Sequence, residues 1–100
     1  PQGGTSVGDV FASRSTLAGR EVLVKGRVVK ANKGIFDTNW YHLMDGTGGE
    51  DSNDLTITSA SDLQVGDVVH AKGVLTVDKD LGFGYFYPVI IEDAVTEVLP

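Results

Sequence analysis

Three side chains with recognition chemistry fall within five residues: Trp40, His42 and Met44, each two positions from the next. In an extended chain that spacing puts them on one face and Tyr41 and Leu43 on the other. Tyr41 and Leu43 make the better core pair. Trp40 and His42 are therefore expected to face outward as an aromatic platform, unless the loop from Ile35 to Asn39 covers Trp40. Such a platform suits stacking against a base, a sugar ring or an apolar peptide; it offers no bond-making chemistry.

Catalytic and metal chemistry find little else to stand on. Ser, His and Asp all occur, but none sits in a nucleophile elbow or another catalytic motif. Gly46, Gly48 and Gly49 read as turn residues with no helix behind them to hold a phosphate. His42 and His70 fall on different predicted strands without a carboxylate at ligand spacing. The acidic run from Asp45 to Asp54 could attract Ca²⁺ loosely, yet it does not follow the alternating ligand pattern of an EF-hand. There is no cysteine, hence no disulfide and no thiolate metal site. A non-catalytic chain with no cofactor and no metal is expected.

The elements that must position the platform follow from alternation and turn residues. Asn39 to Met44 reads as a strand closed by the turn Asp45-Gly46-Thr47-Gly48. Before it, Glu21 to about Ala31 alternates Val22, Val24, Gly26 and Val28 against Leu23, Lys25, Arg27 and Val29. Asn32-Lys33-Gly34 turns the chain, and Ile35 to Thr38 forms a loop. After the acidic tip Gly49–Asn53 comes a third strand, Asp54–Ser59, with Leu55 and Ile57 inward and Thr56 and Thr58 outward. Ala60 to Gln64 is a short link with room for one helical turn. A fourth strand runs from Val68 to Val77, and Asp78 to Gly84 forms a hairpin loop carrying Phe83. Tyr85-Phe86-Tyr87 follows, with Pro88 marking a strand start or an edge. Val89–Ile91 and Ala94–Val98 complete a fifth strand with a break at Glu92-Asp93.

Ser6 to about Leu17 predicts a short helix. Ser6 with Asp9 resembles a capping box, and Val7, Val10, Phe11 and Leu17 make an apolar stripe. Gly8 weakens it and Gly19 stops it. Phe11 is expected to plug one end of the core. Pro1 to Thr5 is a flexible lead-in, and residues 6–100 form a single domain. Gly26 and Gly73 mark mid-strand bends where a sheet curls on itself. The expected class is all-β: five strands closed, or nearly closed, into a small barrel with an N-terminal helix.

The net charge of −6 over 100 residues argues against indiscriminate nucleic-acid binding. The charges are also segregated: six Lys and Arg fall between Arg14 and Lys33, and none between Gly34 and Asp67, where carboxylates accumulate. No apolar run reaches membrane-spanning length, so no membrane insertion is expected. The sequence begins at Pro1 and not at Met, so an N-terminal portion is expected to have been removed or left out. That portion is a signal if the chain is extracytoplasmic (periplasmic or secreted), or simply the rest of a chain cut at that point.

Three tracts carry a family resemblance: Val22-Leu23-Val24-Lys25-Gly26-Arg27-Val28, Trp40 to Gly48, and Val65-Gly66-Asp67-Val68-Val69-His70-Ala71-Lys72-Gly73. Together they resemble an OB-fold, a five-stranded Greek-key barrel. More narrowly they look like the small bacterial extracytoplasmic OB-fold proteins labelled nucleic-acid-binding, some encoded beside multihaem cytochromes. The resemblance implies a binding face over strands two and three with a loop on either side. On this chain that face is Trp40, His42, Met44, Thr56 and Thr58, with Lys33 and Phe36 on one loop and Lys79, Phe83 and Tyr85 on the other. The expected ligand is single-stranded nucleic acid or an oligosaccharide. The alternative is a protein partner or a second copy, docked through the aromatic face or the segregated charge.

Overall fold

The computed structural model describes residues 4–100. Helices Val7–Ala12 (α1) and Arg14–Leu17 (α2) precede strands Glu21–Ile35 (β1), Thr38–Met44 (β2), Leu55–Ser59 (β3), Val68–Gly82 (β4), Tyr85–Ile91 (β5) and Val95–Val98 (β6). The sheet order is β1-β2-β3-β5-β4-β6, and β1 also pairs with β4. Five strands thus form a ring closed by hydrogen bonds, with β6 along the free side of β4. Only the β3–β5 contact is parallel.

The two interior glycines sit where neighbouring atoms approach the backbone closely, and the β1–β4 register runs through both without a bulge. A Cβ on Gly73 would lie 2.7 Å from Ile91 Cγ2, and one on Gly26 would lie 3.1 Å from Leu43 Cβ. The alternating residues predicted to face inward do so: Val24, Val28, Tyr41, Leu43, Ile57 and Val69 are fully buried. Val7, Val10 and Phe11 of α1 close one end of this core. Tyr41 brings a polar tip inside, and its hydroxyl donates to Ser61 O (2.7 Å) while accepting from Leu63 N (3.0 Å). That pair of bonds pins the link after β3 without any helical turn there.

Several expected boundaries are corrected. The N-terminal helix is two short pieces, because Ser13 leaves helical geometry between them. β1 runs on through Asn32-Lys33-Gly34, and the reversal is a two-residue turn at Phe36-Asp37. β4 likewise continues to Gly82, and most of the predicted Asp78–Gly84 loop is strand. The break expected at Glu92-Asp93 is present, and it leaves two separate strands, β5 and β6, where one was counted. Pro1–Gly3 lie outside the described residues, whereas Thr5 is tied to β1 through Thr5 N to Leu23 O at 2.8 Å.

The turn after β2 does more than reverse the chain. Asp45 Oδ2 accepts the Val7 N–H (2.9 Å), Thr47 Oγ1 accepts the Gly8 N–H (2.7 Å), and Ser6 Oγ accepts the Asp9 N–H (3.1 Å). Three otherwise unsatisfied helix donors are paired this way. Gly8 is where the helix and the turn approach: a Cβ there would stand 2.8 Å from Gly48 N.

Candidate functional site: a cleft between two hairpin arms

Because β1 and β4 outrun the ring, two hairpins project beyond it. One joins β1 to β2, the other β4 to β5. At both tips two central residues have positive φ, as a type I′ turn requires: Phe36 (53°) with Asp37 (62°), and Phe83 (56°) with Gly84 (83°). Phenylalanine is a costly choice at such a position, where Asn or Gly is usual. Phe36 is largely exposed, and Phe83 is 94% exposed.

Trp40 lies at the floor between the arms. The expectation of an exposed indole is overturned, since Trp40 is only 8% exposed. Its Nε1 donates to Ile35 O at 2.8 Å, Phe36 meets it edge-on (centroids 6.3 Å), and Tyr87 stacks on it (5.7 Å, 27°). Both arms cover it: Ile35 and Phe36 from the segment that was the alternative cover, and Tyr87 from the β4–β5 arm. Tyr87 shares the parity of core-facing Val89, but Asp78 in mid-β4 has φ of 52°, and the arm beyond it crosses to the outer side of β2.

A cavity of about 350 Å³ opens on each side of the indole. Both are lined by Phe36, Trp40 and Leu81. The first also carries Lys30, Asn32, His42, Tyr85 and Tyr87. The second carries Asp37, Thr38, Thr58, Glu92 and Asp93. One half-cleft is therefore basic to neutral and the other acidic. Burial raises the Tyr87 phenol above its ordinary value of 10.0, helped by Tyr85 beside it, so the ring stays neutral in the stack.

The other expected site residues are dispersed or engaged. His42 Nδ1 meets Asp54 Oδ1 at 2.8 Å. Thr56 and Thr58 lie on the outward face but are buried, Thr56 between His42 and Ile90 of the neighbouring strands. Thr58 Oγ1 accepts the Asp93 N–H (2.8 Å). Lys33 pairs with Asp62, a hydrogen bond that raises its pKa, and it lines neither half of the cleft. Lys79 pairs with Glu92 at 3.4 Å. Met44 borders a separate cavity of about 630 Å³ together with Lys25, Arg27, Val29 and Val68. Phe36 and Tyr85 are the exposed aromatic walls of the cleft; Phe83 stands at the arm's apex.

The fold is similar to that of OBody AM3L09. The solved structure is titled "OBody AM3L09 bound to hen egg-white lysozyme"; the TM-score is 0.61 at 18% identity, over 84% of this chain and 85% of that one. At that identity the likeness carries the fold alone. No protein-family description matches the chain, and no curated protein matches it.

Sequence reasoning missed Tyr87, Leu81, Lys30 and Asn32. The signal for Tyr87 and Leu81 was present in the glycine pair Gly82 and Gly84, whose spacing around Phe83 suits a tight two-residue hairpin better than an open loop. Asn39 was also missed: its Oδ1 accepts the Gly34 N–H (3.0 Å) and its Nδ2 donates to Ser61 O (3.2 Å), bracing the β1–β2 arm against the link after β3. Among the described residues, no group of three or more His, Cys, Asp and Glu is placed to hold a metal.

Proposed function

We propose that this chain is a non-catalytic binding module of the OB type that takes an oligosaccharide in the cleft around Trp40. The ring order β1-β2-β3-β5-β4 supports the OB reading, because OB-folds bind oligonucleotides and oligosaccharides over strands two and three, between the hairpins that here form the arms. One observation carries the choice of ligand. Four aromatic rings (Phe36, Trp40, Tyr85 and Tyr87) share the cleft with polar groups of both signs. A neutral polyol can stack on the rings and hydrogen-bond to ammonium, amide and carboxylate alike. A polyphosphate meets Lys30 on one side and Asp37, Glu92 and Asp93 on the other, on a molecule of charge −6.

The test uses the lone tryptophan as its own reporter. Cellohexaose, chitohexaose and a twelve-nucleotide oligothymidylate are titrated at low salt while Trp40 emission is followed. A saturable response to a hexasaccharide and none to the oligothymidylate supports the proposal. A response to the oligothymidylate alone replaces it with nucleic-acid binding.

A second reading is favoured by Phe83, which is nearly fully exposed at the apex of the β4–β5 arm with half-exposed Tyr85 and Phe86 behind it. Exposed aromatics at a protrusion suit a protein partner or a second copy, and the structurally similar OBody was solved on a protein. Light scattering across salt concentrations distinguishes a monomer from a self-assembling chain. The extracytoplasmic assignment rests on the sequence resemblance, and fractionation of the producing cell tests it.

A further inference from the structure

We propose that residues 79–87 form a hinged cover over the ligand site, and that a sugar ring replaces Tyr87 on the indole of Trp40 when this arm swings away. The inference rests on the oligosaccharide reading above and adds how the site is reached. As long as the arm is down, Trp40 is nearly sealed and the two half-clefts are separated by Phe36, Trp40 and Leu81. Lifting Leu81 and Tyr87 joins them into one groove with the indole as its floor.

Backbone geometry and burial together place the hinge. The β4–β5 ladder pairs Val77 with Val89 and Lys79 with Tyr87 in one register but has no pair between Asp78 and Pro88, and the register shifts further out, between Asp80 and Gly82. Pro88 has no N–H to give, and Asp78 is a non-glycine residue in left-handed geometry inside a strand. Burial changes at the same place: Leu75, Val89, Ile90 and Ile91 are buried, whereas no residue from Asp78 to Pro88 is. A segment with no buried core residue, joined through a ladder that lacks one pair at its base and shifts register further out, opens at lower free energy than the ring that carries it. What holds it down is small and named: the Tyr87–Trp40 stack and the Lys79–Glu92 ion pair.

Two measurements test the cover separately from the ligand. Native-state hydrogen exchange should show the amides of residues 79–87 exchanging at least tenfold faster than those of Leu75, Ile90 and Ile91. Equal protection in arm and ring would overturn the hinge whatever the protein binds. In the second measurement chitohexaose is titrated into the wild type and Lys79→Gln, with Tyr87 ring signals and Trp40 emission followed by NMR and fluorescence. Weakening the tie-down raises the open fraction, so Lys79→Gln should bind about twofold to fivefold more tightly. Binding that leaves the Tyr87 signals unmoved overturns the cover. Fast arm exchange with no saccharide response keeps the hinge and removes the oligosaccharide reading, and with it the ligand's part in this proposal.

Discussion

The phenol ring of Tyr87 stacks on the indole of Trp40 with centroids 5.7 Å apart, although strand alternation alone aims the two at opposite sides of the sheet. The contact joins β2 to the β4–β5 arm and keeps the lone tryptophan from water. Tyr87→Ala should shift Trp40 emission to longer wavelength and cost about 1–2 kcal/mol. Tyr87→Phe should leave the emission where it is. Steady-state fluorescence with a urea melt reads both.

The two tip phenylalanines oppose stability. Phe83 is 94% exposed and holds a φ of 56°, so it loses little packing on replacement. Phe83→Asn should stabilise the fold by about 1 kcal/mol, a rise of roughly 4–8 °C in Tm for a domain of this size. Phe36→Asn should gain less, because Phe36 also meets Trp40 edge-on. If the tips serve recognition, both variants trade affinity for stability. A Tm for Phe83→Asn at or below wild type would show that the left-handed turn carries no strain.

Asp45 gives the fold an acid-sensitive joint. Its partial burial favours the neutral acid, but hydrogen bonds from the Thr47 hydroxyl and the Val7 and Thr47 amides outweigh that and hold its pKa below the ordinary 3.8. A folded value depressed below the unfolded one means the contribution is full above the ordinary value and is lost as pH falls through the folded one. Asp45→Ala should therefore cost about 1–2 kcal/mol at pH 7, and the gap to wild type should close on acidification below pH ~4. Urea melts at a series of pH values check the sign as well as the size.

Gly73 is a packing requirement. A methyl group there would stand 2.7 Å from Ile91 Cγ2 in the fully buried core. Gly73→Ala should cost about 1–3 kcal/mol. Gly49→Ala is the control, with only Ser52 Oγ at 3.7 Å from the added carbon, and should be near neutral. Equal melting temperatures for the two would contradict the tight closure at Gly73.

The core was legible in the sequence because alternation is a local property: Val22, Val24, Val28, Tyr41, Leu43, Leu55 and Ile57 all face inward as their spacing predicts. The Phe11 plug was equally readable from one residue and its neighbours; at Gly26 and Gly73 the structure shows close approach to Leu43 and Ile91, with the β1–β4 register running unbroken through both. Parity says which way Trp40 points but not what later folds over it. The β4–β5 arm, one of the two that cover it, continues beyond Asp78, which has a positive φ; aspartate tolerates that geometry, but its place inside a strand rather than at a turn gives no local signal of it. Thr58 shows the same limit: it points outward as expected, but its hydroxyl is used by the Asp93 amide and it is buried. Strand ends were misplaced where Asn32-Lys33-Gly34 and Asp80 to Gly82, turn-like in composition, form irregular stretches of strand whose ends, Asn32 and Ile35, Asp80 and Gly82, are paired across the hairpin.

The cleft between the arms is the proposed place of ligand recognition. A ¹H–¹⁵N NMR titration with chitohexaose tests it residue by residue. Saturable shifts are expected at the Trp40 indole N–H and at Lys30, Asn32, Phe36 and Tyr85, with Lys25, Arg27 and Met44 at the larger cavity unmoved. Shifts gathered around Met44, or a spectrum unchanged at millimolar saccharide, would contradict it.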